Sequence, residues 1–273
     1  MKEIIIFFMP PRFGNLTNPS MDIVKEIKSI GRLGFDFAEL GFEEPLGRYD
    51  TILRKRKNVL DAIKKYNLFV TGHAPWWAEL GTTNEAVRKG WLIESKKVIV
   101  TANKLGIKKL NFHTHSRGLV LKVQASKKQV LNNYVTSLRK LVNCGKKYGV
   151  KIIVENPVER GEITNLKDIE YIVNNVYGLG VTLDVGHAFV RGGMKYIKDF
   201  ANLFEDRIEH IHMSDNHGKN DEHLPIGKGI IDYKKVVKIL KKMDYNKTIT
   251  LEVFTSRKDA VESKEKILKL WQK

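Results

Sequence analysis

Six side chains able to bind metal or move protons each close, or directly follow, a short apolar run. His73 follows LFVTG, His113 ends KLNFH, Glu155 ends KIIVE, Asp184 ends VTLD, His212 ends IEHIH and Glu252 ends TITLE. One histidine in such a place is usually a satisfied structural group, and one acid often caps the helix that follows. Six such placements in six separate runs point instead to a shared site. Carboxylates gathered at one point raise one another's pKa unless a cation neutralises them. Imidazole mixed with carboxylate is a donor set for a divalent metal ion. Two pairs extend the set. In LDVGHAFV, His187 follows Asp184 in the segment leaving the run. In KNDEHLPIGKG, Asp221 and His223 stand two apart, so that extended backbone would turn both to one side. The candidate ligands are therefore His73, His113, Glu155, Asp184, His187, His212, Asp221, His223 and Glu252. Around them, Trp76 and Trp77 could form an apolar wall for a ligand ring face or pack over the site mouth. His115 could touch substrate, and Lys228 in the IGKG turn could meet a phosphate. His210 reads as an inner-layer residue and His217 as loop surface.

Positioning these groups requires a repeating frame. Apolar, β-rich runs occupy Ile4–Phe8, Phe35–Leu40, Phe69–Gly72, Lys109–His113, Lys151–Glu155, Val181–Asp184, Ile208–His212 and Thr248–Glu252. The later ones are rich in Ile, Val and Leu, as strands covered on both faces should be. Helical patterns separate them at Met21–Leu33, Thr51–Tyr66, Asn84–Leu105, Lys127–Tyr148, Leu166–Val176, Gly193–Phe204 and Tyr233–Met243, and Arg257–Leu270 closes the chain. Gly106, Gly149 and Gly180 follow helical segments, where glycine can take the left-handed conformation that stops a helix. Eight strands, each followed by a helix, predict an α/β fold: one (β/α)8 TIM barrel spanning residues 1–273, with an open doubly wound sheet as the alternative. In a barrel the C-terminal ends of the strands converge on one mouth, which would place the metal site at that face.

Composition narrows the function classes. Hydrophobic residues make up 42 % of the 273, enough for a folded core rather than a disordered chain. The net charge of +17 would attract nucleic acid or phosphorylated substrates, but the lysines are spread over outer helix faces and identify no partner. The single cysteine, Cys144, allows no intrachain disulfide, which fits a reducing, cytoplasmic setting. The apolar start KEIIIFFMPP is too short to span a membrane, and no GxGxxG follows it to bind a dinucleotide.

The segments VENP, LDVGHAF and HMSDNHGKNDEHLPIGKGIID resemble the xylose isomerase-like TIM barrel superfamily, and the resemblance runs from His73 to Glu252. That group contains sugar and sugar-phosphate isomerases and epimerases, and the endonuclease IV branch of abasic-site nucleases. Likeness to the epimerases implies one divalent ion, such as manganese, magnesium or cobalt, on Glu155, Asp184, His212 and Glu252. It also implies that Glu155 and Glu252 exchange protons at a carbon beside a metal-bound carbonyl, with His187 touching a sugar or sugar phosphate. Likeness to endonuclease IV implies two or three zinc ions on all nine residues and abasic DNA as substrate. The nuclease pattern is altered at HAPWWAELG, HMSDNHGK and Glu222. The epimerase pattern is altered at Gly218, where an arginine is expected. The leading expectation is a metal-dependent isomerase or epimerase; the alternative is a zinc-dependent abasic-site phosphodiesterase. A homodimer is compatible with either.

Overall fold

A computed structural model describes residues 10–114, 124–158 and 165–272. Eight parallel strands pair in chain order and close, β1 beside β8, into a barrel. They are β1 (Arg12–Leu16), β2 (Phe37–Gly41), β3 (Phe69–His73), β4 (Lys109–His113), β5 (Lys151–Glu155), β6 (Gly180–Asp184), β7 (Ile208–Met213) and β8 (Thr248–Leu251). Outside them run α1 (Ile23–Arg32), α2 (Tyr49–Arg54), α3 (Arg56–Lys65), α4 (Glu85–Lys104), α5 (Gln124–Tyr148), α6 (Leu166–Asn175), α7 (Val185–Phe204), α8 (Tyr233–Lys242) and α9 (Arg257–Trp271). The open-sheet alternative is thereby excluded.

Apolar spacing builds this ring. In α1, Ile23, Ile27 and Ile30 fall on one face and are buried. Asp22 caps the helix by accepting the backbone N–H groups of Val24 and Lys25, each at 3.0 Å, an interaction worth about 1 kcal/mol. Asn84, Asn165, Asp232 and Ser256 cap α4, α6, α8 and α9 in the same way. Among the described residues, no helix is long and apolar enough to cross a membrane.

Four sequence expectations are corrected. The run Ile4–Phe8 lies outside the described residues, and the strand that closes the barrel is the more polar Arg12–Leu16. Its Gly14 lies directly against the Phe37 ring, where a side chain would collide, and the buried Asn15 donates to the Leu251 carbonyl. The helix expected over Thr51–Tyr66 is two helices broken at Lys55. The helix expected to start at Gly193 starts at Val185, with a kink at Gly192 and Gly193. Gly106 (φ 79°) and Gly149 (φ 66°) take the left-handed conformation, but Gly180 does not; Gly178 (φ 89°) makes that turn and Gly180 begins β6.

Candidate metal centre

The C-terminal ends of β3 to β7 place His73, His113, Glu155, Asp184 and His212 around one rim, where His113 pairs directly with Glu155 and Asp184 with His212, and Glu252 follows the last residue of β8. Their donor atoms fall into three groups. In the first, His73 Nε2 and His113 Nε2 lie 3.0 Å apart, and each faces Glu155 Oε2, at 3.8 and 3.3 Å. In the second, His212 Nδ1 lies 3.2 Å from both Glu155 Oε2 and Glu252 Oε1, and 3.8 Å from Asp184 Oδ2. In the third, Asp221 Oδ2 lies 3.0 Å from His187 Nε2 and 2.8 Å from His223 Nε2. Glu155 Oε2 is shared by the first two groups; its other oxygen is 3.2 Å from His187 Nδ1, the ring nitrogen turned away from Asp221.

These contacts fit cations. Donors about 2.0–2.2 Å from a tetrahedral ion are roughly 3.3–3.6 Å from one another, close to the spacings of the first two groups. The third group is decided by hydrogen-bond direction. His187 Nδ1 donates to the Asn156 carbonyl at 2.9 Å, and His223 Nδ1 donates to the Glu252 carbonyl at 3.1 Å. In the neutral rings, Nε2 is then a bare acceptor, yet both Nε2 atoms face a carboxylate oxygen. Either protons or a cation must lie between them. Buried Glu155 Oε1, Asp184 Oδ2, Asp221 Oδ1 and His212 Nδ1 lack a well-aligned hydrogen-bond partner among the described residues.

Without a cation, protons carry the balance. Burial opposes charge on His187, but Asp184 and Asp221 hold it well above its ordinary pKa. Burial likewise opposes charge on His73, which the Glu43 carboxylate raises to about 9. His113, where burial dominates, drops to about 3. Burial, with the charges of Glu155 and Glu252 beside it, pushes Asp184 up to about 7. Glu155 stays well below the usual carboxylate range despite its burial, because of His113 and His212.

A cavity of about 360 Å³ opens over the rim, within the range of small-ligand sites. His73, His113, His187, Asp221, His223 and Glu252 line it, with Trp76 and Phe254 at its edge. Glu155, Asp184 and His212 lie buried behind that wall.

A search of family models matches residues 27–271 to the xylose isomerase-like TIM barrel. The chain belongs to the xylose isomerase-like TIM barrel family. Uncharacterized protein MJ1614 of Methanocaldococcus jannaschii is 34 % identical over 194 residues, 71 % of this chain and 74 % of that protein. A probable endonuclease 4 of Aquifex aeolicus is 25 % identical, over 90 % of this chain and 92 % of that protein. Among solved structures, a D-tagatose 3-epimerase-like protein superposes with a TM-score of 0.84 at 26 % identity, covering 96 % of this chain and 97 % of its own.

Within this xylose isomerase-like barrel, all nine expected ligands meet. Asp221 and His223 do so for a different reason than expected: His223 has φ 47°, so a left-handed turn rather than extended backbone brings them together. Trp77 stacks edge-on against Trp76 at 5.6 Å and is not part of the cavity wall. Lys228 sits in an exposed turn, its N–H bonded to the Pro225 carbonyl, also off the wall. His115 lies outside the described residues. His210 is buried in the barrel interior and His217 is exposed, paired with Glu222.

Sequence reading missed the partners that orient the ligands. Asn156 exchanges two hydrogen bonds with the Asp184 backbone, at 2.8 and 3.0 Å. Glu43 faces His73 Nδ1 at 3.3 Å, and Asn111 donates to Glu155. Asp215 gathers the backbone N–H groups of Asn216, Gly227 and Ile231 and so shapes the loop that carries Asp221 and His223. The only available signal was Asn156, inside the VENP segment.

Proposed function

We propose that this chain is a metal-dependent phosphodiesterase that takes two or three divalent ions and cleaves the sugar-phosphate backbone at an abasic site. The observation that carries this reading is the position of Glu155. Its Oε2 faces His73, His113 and His212 and so serves two donor groups at once, and the carboxylate lies behind the cavity wall. A carboxylate that exchanges protons with a sugar carbon has to reach that carbon. One that bridges ions does not.

Divalent ions on these donors would polarise phosphoryl oxygens and acidify water for in-line displacement. The chain's own residues would prepare that site. Glu155 would bridge, Asp184, His212 and Glu252 would hold the inner position, and His73 with His113 would flank it. Asp221, His187 and His223 would hold the third position from the loop after β7. Trp76 and Phe254 offer apolar ring faces at the cavity edge, 39 % and 62 % exposed, suited to the sugar where a base is missing. The net charge of +17 favours a phosphate-rich partner.

A second reading, a sugar isomerase or epimerase with one ion, is supported by a different observation. Glu155, Asp184, His212 and Glu252 make a complete four-donor set alone, and Glu252 reaches the cavity. One experiment separates the two. Protein purified without chelator is analysed for metal, then assayed on an abasic-site duplex and, separately, for deuterium exchange into ketohexoses and their phosphates. Two or three ions with EDTA-sensitive nicking supports the phosphodiesterase. One ion, no nicking, and sugar exchange that is lost in Glu155→Gln would reject it in favour of the isomerase.

A further inference from the structure

Beneath the rim lies a carboxylate that no candidate role has used. Glu39, in the middle of β2, is fully buried. Its Oε2 accepts the Thr250 hydroxyl at 2.6 Å, faces His210 Nε2 at 3.1 Å and lies 3.3 Å from His212 Nε2, a charge contact without an aligned hydrogen bond. His210 is itself tied through Nδ1 to the Thr248 hydroxyl at 2.6 Å. Its other oxygen, Oε1, has no hydrogen-bond partner among the described residues.

We propose that Glu39 is a positioning residue for the metal centre. Its carboxylate attracts the N–H of His212 to Nε2, and so turns a bare Nδ1 toward Glu155, Asp184 and Glu252. This inference rests on the reading that His212 binds an ion.

Three observations support it. First, the other ring nitrogen of His212 lies 3.2 Å from two carboxylates, so the ring works only if its proton is on the Glu39 side. Second, three of the other four histidines follow the same plan. His73 has Glu43 behind it, His187 has the Asn156 carbonyl and His223 has the Glu252 carbonyl. Such outer partners fix the tautomer and raise the basicity of a ligating imidazole. Third, the fold itself has no need of a charge there. Phe37, Ala38 and Leu40 beside it on β2 are apolar and buried, and a well-packed apolar side chain commonly replaces a buried charge at no loss of stability.

The test is Glu39→Gln in the full chain, with two readouts on protein stripped of metal. Zinc affinity is measured by competition with a chromophoric chelator, and the His212 tautomer by nitrogen-15 NMR of histidine-labelled protein. Loss of an outer partner of this kind typically weakens metal binding about 10–100-fold, so a fall in that range is expected, with His212 no longer fixed as the Nε2–H form. Thr250→Val removes the hydroxyl that holds Glu39 without touching His212, and should move both readouts the same way by less. It serves as the test if Glu39→Gln does not fold. Zinc affinity within twofold of wild type together with an unchanged His212 signature would overturn the proposal. If the wild-type chain takes up no zinc, the metal reading fails, while the tautomer comparison still decides the role of Glu39.

Discussion

On the proposed three-ion reading, replacing His113 with alanine should weaken one metal position and leave the other two filled. His113 Nε2 is one of three donors in its group, beside His73 Nε2 and the shared Glu155 Oε2. Without it, one imidazole and one shared oxygen remain. Removing even an outer partner costs 10–100-fold in affinity, so loss of a donor is taken as about 100-fold. With free zinc at about 100 times the dissociation constant, one ion stabilises the fold by ~2.7 kcal/mol; after a 100-fold weakening ~0.4 kcal/mol remains. The difference, about 2.3 kcal/mol, corresponds to about 4 °C in melting temperature for a chain of this size. The quantity to compare is the zinc-minus-EDTA shift, measured by calorimetry in wild type and variant, because the EDTA baseline removes the cost of the truncated side chain. Elemental analysis at that zinc concentration should find about half an ion fewer per chain in His113→Ala, since free zinc then equals the weakened dissociation constant. An unchanged ion count, or a zinc-dependent shift within about 1 °C of wild type on the ~4 °C scale set above, would refute the division into three donor groups.

Asp215→Ala would leave the backbone N–H groups of Asn216 and Ile231 unpaired in buried contacts, at about 1–3 kcal/mol each, and free that of the exposed Gly227. Urea unfolding should show a loss of ~2 kcal/mol or more, and elemental analysis should show loss of the ion at Asp221 and His223; a stable variant with full metal content would contradict this. Burial, aided by the nearby Lys247 charge, pushes the Lys109 ammonium down to about 8 from its ordinary 10.5. Between those values the unfolded chain binds more protons than the folded one, so stability contributed at this site rises with pH through that window. Lys109→Met should flatten the difference in urea stability between pH 7.5 and 10 (the two sides of about 8), and parallel profiles for the two proteins would disprove it. Trp76→Ala should lower kcat/KM about fivefold, the equivalent of ~1 kcal/mol of ring contact, without changing the ion count; unchanged kinetics would remove Trp76 from the substrate face.

Strand ends were legible because a buried parallel strand is an unbroken apolar run, and a polar residue that closes it is conspicuous. Lys109–His113 and Lys151–Glu155 are the same in sequence and structure. β1 was hidden because RFGNL has no such run: it is held by Gly14 fitting against Phe37 and by Asn15 reaching Leu251, contacts made with distant residues. A nearby apolar stretch, Ile4–Phe8, carried the stronger local signal. The break at Lys55 was invisible for a similar reason, since the residues on both sides have helical patterns and no proline or glycine separates them.

The nine donors could be found in the text while the groups that aim them could not, and the reason is chemical. A ligand is a rare residue type in a marked place. An orienting partner needs only an acceptor, and two of the four identified are backbone carbonyls, which any residue supplies. The other two are Glu43 and Glu39, acids from β2 and the segment after it that act on histidines of β3 and β7. Glu39 and His212 become neighbours only because the barrel closes and crosses its interior. Donor identity is therefore a local property of this chain, whereas donor direction is a property of the closed ring. A variant that keeps every ligand but loses the ring's inner contacts should retain the composition of the site and lose its affinity.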